Sequence, residues 1–140
     1  MILYLETSVL VAVFIADAFT ARAGKLIALP GADLLISDYA AAEFAAVIAR
    51  LVRMREISAD HARAGFADFD IWTTRTTQRV TSISADIRAA EAVLRRLDLN
   101  LRAPDALHIV IAQRSGGMLA TFDAKMAINA EILGVGVAVA

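Results

Sequence analysis

The chain has 140 residues, 59% of them hydrophobic and 21% charged, with a net charge of −1 and no cysteine. That length suits a single domain spanning residues 1–140, and the composition argues against disorder. Disulfides and thiolate metal sites are excluded, the two histidines fall short of the ligands zinc usually takes, and global charge announces no nucleic-acid partner.

Mean hydropathy is high, +0.61. The longest apolar runs, "VLVAVFIA" and "ILGVGVAVA", are well short of the ~20 residues a bilayer span needs, so no membrane segment is expected. The N-terminus has no Lys or Arg ahead of its apolar stretch and carries Glu6 instead. It reads as a cytoplasmic start and not as a signal peptide.

Residues 2–5 form a short continuous apolar run, the pattern of a strand buried on both faces. Thr7 or Ser8 can cap a helix to about residue 16. A short helix over 19–29 is ended by Pro30-Gly31. Residues 33–37 read as a second strand, and Ser37 or Asp38 caps a helix over 39–56. Its Phe44, Val47, Ile48, Leu51 and Val52 recur at helical spacing. Ser58 begins a helix to residue 75, where Phe66, Phe69 and Trp72 mark a face for the core or a partner. A third strand is expected over 78–83, then a helix from 84 to about 97. "APDALHIVIAQRSGG" is a helix with Pro104 in its first turn and Gly116-Gly117 at its end. Residues 118–121 are a strand, 123–133 a helix and 135–139 a last strand. Apolar strands alternating with helices indicate an α/β layer fold with a parallel sheet.

Ligands of open α/β sheets sit beyond the carboxyl ends of the strands. Glu6 lies just past the first strand and Asp123 just past the 118–121 strand. Asp105 lies in the first turn of its helix. Glu43 sits among Ala40, Ala41, Ala42, Ala45 and Ala46, which leave it room to enter a cleft. Taken singly, Asp105 favours a helix N-terminus, Asp123 is an N-cap and Glu43 is a solvated helix residue. Glu6 resists such a reading, since Glu has no capping advantage. Together the four acids suggest a site for a hard cation, Mg²⁺ or Mn²⁺.

Four stretches, "YLETSVLV", "SDYAAAEFAAVI", "APDALHIVIA" and "LATFDAKMA", resemble the signatures of PIN domains, in order and over nearly the whole chain. The likeness is strongest to VapC toxins of bacterial VapBC toxin–antitoxin pairs. The resemblance implies a three-layer α/β/α sandwich with a central parallel sheet. It implies a Mg²⁺- or Mn²⁺-dependent endoribonuclease, the toxin of a type II pair, that cuts structured RNA such as tRNA. It implies a VapB-type antitoxin and a second copy of the chain as partners. By position it makes Glu6, Glu43, Asp105 and Asp123 catalytic, with Glu6, Asp105 and Asp123 holding metal.

The chain departs from the family at the first acid, Glu6, where PIN domains normally carry Asp. A carboxylate displaced by ~1 Å can cost about 100-fold in rate. Two readings therefore stand: an attenuated nuclease, and an inactive module that binds antitoxin or RNA. Arg50, Arg53 and Arg55 are explained by a helix C-terminus, while Arg102 is open as a phosphate contact. His108 reads as a packed or hydrogen-bonded structural residue. A haloacid dehalogenase-type phosphatase would need an Asp pair after the first strand, and a response-regulator receiver adjacent acids there. "ETS" at 6–8 supplies neither.

Overall fold

The computed structural model describes residues 1–139. Among them, four apolar runs pair as one parallel sheet of order β3-β2-β1-β4. The strands are β1 (Ile2–Leu5), β2 (Asp33–Ser37), β3 (Thr77–Val80) and β4 (Met118–Ala120). β1 lies inside the sheet, with Tyr4 opposite Leu35 on one side and Leu119 on the other. The helices are α1 (Thr7–Phe14), α2 (Thr20–Ile27), α3 (Asp38–Arg53), α4 (Ala59–Thr76), α5 (Ser84–Leu94), α6 (Ala103–Arg114) and α7 (Ala124–Ile132).

Strand side chains alternate between faces, and this alternation builds two cores. Leu3, Leu5, Leu34, Ile36 and Ala120 pack against α1, α2, α3 and α4. Tyr4, Leu35 and Leu119 pack against α5, α6 and α7. The result is the expected three-layer α/β/α sandwich. In the first layer Phe14 meets Phe44, Phe69 and Trp72 edge-on at centroid distances of 5.5–5.7 Å, so the aromatic face of α4 belongs to the core. α6 is buried at every residue from Ala106 to Ala112, as a helix apolar all round must be. It ends where Gly117 passes β1 so closely that a Cβ there would lie 3.1 Å from Ile2 Cγ2. No described helix is long and apolar enough to cross a membrane.

Two expectations are corrected. The last strand over 135–139 does not form. Residue 137 makes a single bridge to Leu119, through Leu119 N to Gly136 O at 2.8 Å and Ala138 N to Leu119 O at 2.9 Å. The chain enters there from a turn with Gly134 at φ +82° and meets only the three-residue edge strand β4. The third strand runs over Thr77–Val80, earlier than the 78–83 expected, because Ser82 N is taken by Asp38 Oδ1 at 2.9 Å.

The helical layer behind β1 is tied by a two-pronged ion pair. Arg114 donates from Nε and Nη2 to the two oxygens of Asp86 at 2.7 and 2.8 Å, and from Nη2 to Thr81 O at 3.0 Å. Asp86 also caps α5 by accepting from Ile83 N at 3.0 Å. These contacts, the Arg114 bond first, hold the Asp86 carboxyl below its ordinary 3.8. A lowered folded pKa gives stability that is present above the ordinary value and lost as pH falls through the lowered one. Asp86→Asn is therefore expected to cost about 1.5–3 kcal/mol at neutral pH and to flatten the stability curve below about pH 4. Urea denaturation across pH measures both; an unchanged acid limb would contradict the assignment.

Candidate active site

β1, β2 and β4 end on the same edge of the sheet, and the chain leaves that edge through short turns into α1, α3 and α7. Between them opens a cleft of about 740 Å³. Glu6, Glu43, Asp105 and Asp123 all line it. The strand connections diverge around β1 and β4, the place where open parallel sheets leave a crevice.

Glu6 is the first correction. It is the N-cap of α1, with β-region backbone, and is only 6% exposed. Its Oε2 accepts from Ser8 N at 3.1 Å, Ser8 Oγ at 2.5 Å and Thr121 Oγ1 at 2.9 Å. The third donor, Thr121, arrives from just past the end of β4, 115 residues away. Thr7 and Ser8, expected to cap, lie inside the helix. Thr121 also accepts from Asp123 N at 3.0 Å, and Ser8 Oγ accepts from Phe122 N at 2.9 Å. These two hydroxyls fix the spacing between the ends of β1 and β4. Glu6 Oε1 has no hydrogen-bond partner among the described residues.

Glu43 is the second anchor. Its Oε1 accepts from Thr7 Oγ1 at 2.7 Å and pairs with Nε2 of His108, which is 1% exposed. His108 Nδ1 meets Tyr4 Oη at 2.8 Å, and Tyr4 Oη meets Ser37 Oγ at 2.8 Å. An ionised carboxylate only accepts, so Nε2 carries a proton toward Glu43. One direction then satisfies every atom with a neutral imidazole: Ser37 to Tyr4, Tyr4 to His108 Nδ1, His108 Nε2 to Glu43. Tyr39 stacks on the imidazole at 5.2 Å. Burial works against ionisation of Glu43, but the bonds from His108 and Thr7 outweigh it and hold its carboxyl below the usual range. Burial pushes the Tyr4 hydroxyl far up, so it stays a neutral link.

Asp105 and Asp123 sit differently. Asp105 Oδ2 accepts from Arg102 N at 3.0 Å at the start of α6. Asp123 Oδ1 accepts from Met126 N at 3.0 Å and caps α7. Both line the cleft, but the tight group, with ligand atoms all within 4.8 Å, is Glu6, Glu43 and His108. Arg50, Arg53 and Arg102 line the same cleft, and Arg50 and Arg53 lie in the last turn of α3, as their helix C-terminus reading expects. His108, read from sequence as a packed or hydrogen-bonded structural residue, is both buried and bonded to Glu43. Five carboxylates, the four above and Asp17, and no thiolate line this opening, a donor set suited to a hard divalent cation.

The chain is a parallel α/β/α sandwich with acids gathered at the carboxyl edge of its sheet. The family model of the PIN domain matches residues 3–132: the chain belongs to the PIN domain family. Among solved structures it is similar to VapC20 of Mycobacterium tuberculosis, a sarcin-ricin loop cleaving toxin, with TM-score 0.74, 18% identity and 99% of each chain covered. It is similar to VapBC2 of Rickettsia felis bound to a promoter DNA fragment, with TM-score 0.71, 15% identity and 99% and 98% coverage. VapBC-1 of nontypeable Haemophilus influenzae follows at TM-score 0.68, 13% identity and 99% and 97% coverage. No curated protein sequence matches the chain significantly.

The hydrogen-bonded line through Tyr4 sets a stability test. Tyr4→Phe keeps the ring in its core and removes the link between Ser37 and His108. Urea denaturation is expected to show a loss of about 1–2 kcal/mol; a change below about 0.5 kcal/mol, the size of an ordinary surface substitution, would show that the line carries no strain-free polar network.

Proposed function

We propose that the chain is a VapC-type toxin of a type II toxin–antitoxin pair, acting in the cytoplasm as a divalent-cation-dependent endoribonuclease. The observation that carries this reading is the convergence of Glu6, Glu43, Asp105 and Asp123 on one cleft with Arg50, Arg53 and Arg102 around it. The acids supply hard ligands and the arginines supply charge for RNA phosphates. Membership of the PIN family and the likeness to VapC and VapBC structures support it.

Glu6, Asp105 and Asp123 would hold Mg²⁺ or Mn²⁺. A cation bound there supplies positive charge against a phosphodiester and lowers the pKa of water. Glu43, kept ionised by His108 and Thr7, is placed to accept a hydrogen bond from the attacking water. His108 is a positioning residue: it fixes which Glu43 oxygen is occupied and which faces the cleft. Arg102, 83% exposed and 3.7 Å from Asp105, is free to move onto a phosphate. Water as nucleophile leaves 3′-hydroxyl and 5′-phosphate ends.

Glu6 in place of Asp bears on how active the chain is. Its Oε2 is committed to Ser8 and Thr121, which pins the longer side chain and leaves Oε1 for the cleft. This favours retained activity over the inactive-module reading. A protein partner is supported by a second opening, an apolar groove of about 470 Å³ between α5 and α6 lined by Ile87, Leu94, Leu97 and Leu107. Apolar surface of this kind marks interfaces, and an antitoxin and a second copy of the chain are the partners proposed.

Cleavage of a broad RNA pool in Mg²⁺ and in Mn²⁺ tests the reading, with the chain as it stands beside Glu6→Asp and Asp105→Asn. The chain is expected to cleave, with Asp105→Asn slower by about 100-fold or more. Cleavage by Glu6→Asp alone would favour the binding module, and no cleavage by any form would overturn the nuclease reading.

A further inference from the structure

We infer that the Phe19–Phe122 ring pair at the rim of the cleft is a stacking platform for an unpaired nucleobase beside the scissile phosphate, an inference that rests on the RNA reading above. The two rings lie 4.9 Å apart, centre to centre, at an interplanar angle of 18°. Both line the cleft that holds the four acids. Phe122 is the residue before Asp123, so a base on this platform lies next to the proposed cation ligands.

Phe19 differs from the other phenylalanines of the chain, while its partner Phe122 is partly buried and packs against the first core layer. Phe14, Phe44 and Phe69 pack with Trp72 inside the first core layer. Phe19 is 39% exposed and supports no core. A large apolar ring held in water at the mouth of a polar cleft has a surface to offer a ligand. A nucleotide of an unpaired strand is the ligand class that combines a flat π-face with the anionic phosphate the cleft arginines suit.

The platform is also built to stay in place. Asp17 Oδ1 accepts from Phe19 N at 2.7 Å, and Thr20 Oγ1 accepts from Asp17 N at 2.9 Å, which fixes the turn ahead of α2. Ser8 Oγ fixes Phe122 N at 2.9 Å. The Arg22 guanidinium carbon lies 5.7 Å from the Phe19 centroid and 5.1 Å from that of Phe122. With the rings 4.9 Å apart, the three centres form a nearly equilateral triangle. Arg22 therefore braces both rings together and adds a cation beside the base. Base stacking on an aromatic ring is tolerant of sequence, so the platform raises affinity for unpaired RNA without choosing among bases.

The test is fluorescence anisotropy with two labelled strands of about 12 nucleotides, within the range of single-strand site sizes: a hydrolysis-resistant phosphorothioate RNA and its abasic counterpart of equal charge. The chain is expected to prefer the base-bearing strand by about 5-fold or more. Phe19→Ala is expected to abolish that preference and leave abasic affinity unchanged, while Phe19→Trp keeps it. A preference that survives Phe19→Ala, with cleavage still dependent on Asp105, overturns the platform alone. No binding of either strand by the chain overturns the platform together with the RNA reading.

Discussion

The site depends on one buried line of hydrogen bonds that crosses the carboxyl edge of the sheet. It runs from Ser37 at the end of β2, through Tyr4 of β1 and His108 of α6, to Glu43 of α3 and Thr7 of α1. Five elements meet in it, and no described buried side-chain polar atom lacks a partner. A satisfied polar line in a low-dielectric interior fixes geometry, because any misplaced member leaves an unpaired group. Ser37 serves it twice, since its Oγ also caps α3 through Ala40 N at 2.9 Å. The strand end, the start of α3 and the position of Glu43 are thus set together.

A second set of bonds does for β1 and β4 what this line does for β1 and β2. Glu6, Ser8 and Thr121 join the two strand ends, and Asp123 follows from them. Glu6, Glu43 and Asp123 are held by neutral donors, while Asp105 has Arg102 3.7 Å away. That arrangement suits the proposed function, in which the site collects a cation and then an anion. On that proposal the carboxylates would attract the cation, and Arg50, Arg53 and Arg102 at the same opening would meet the polyanion.

Much of this was legible along the chain. Strands β1 and β2 sit at the residues their apolar runs predict, since strands buried on both faces read as near-continuous apolar runs. Pro104 and the acid at Asp105 mark the start of α6, and Ser58 the start of α4, because these signals are local. The capping role of Glu6 was hidden, since its carboxylate is also held by Thr121, the residue after β4. The pairing of His108 with Glu43, 65 residues away, left no mark either: a lone His in "DALHIVIA" looks the same packed or functional. The final run of valines looked like a strand, yet pairing needs a partner of sufficient length, and β4 has three residues. Phe19 and Phe122 lack any periodic signal, as they meet only once α2 and β4 are in place.

The central claim is that the four carboxylates act as one site for a hard divalent cation. Mn²⁺ titration followed by the electron paramagnetic resonance of the free ion tests it without substrate. The account predicts that the chain binds Mn²⁺ and that Asp105→Asn and Glu43→Gln each weaken binding by about 10- to 100-fold. Absence of Mn²⁺ binding, or equal affinity in the chain and both variants, would contradict it.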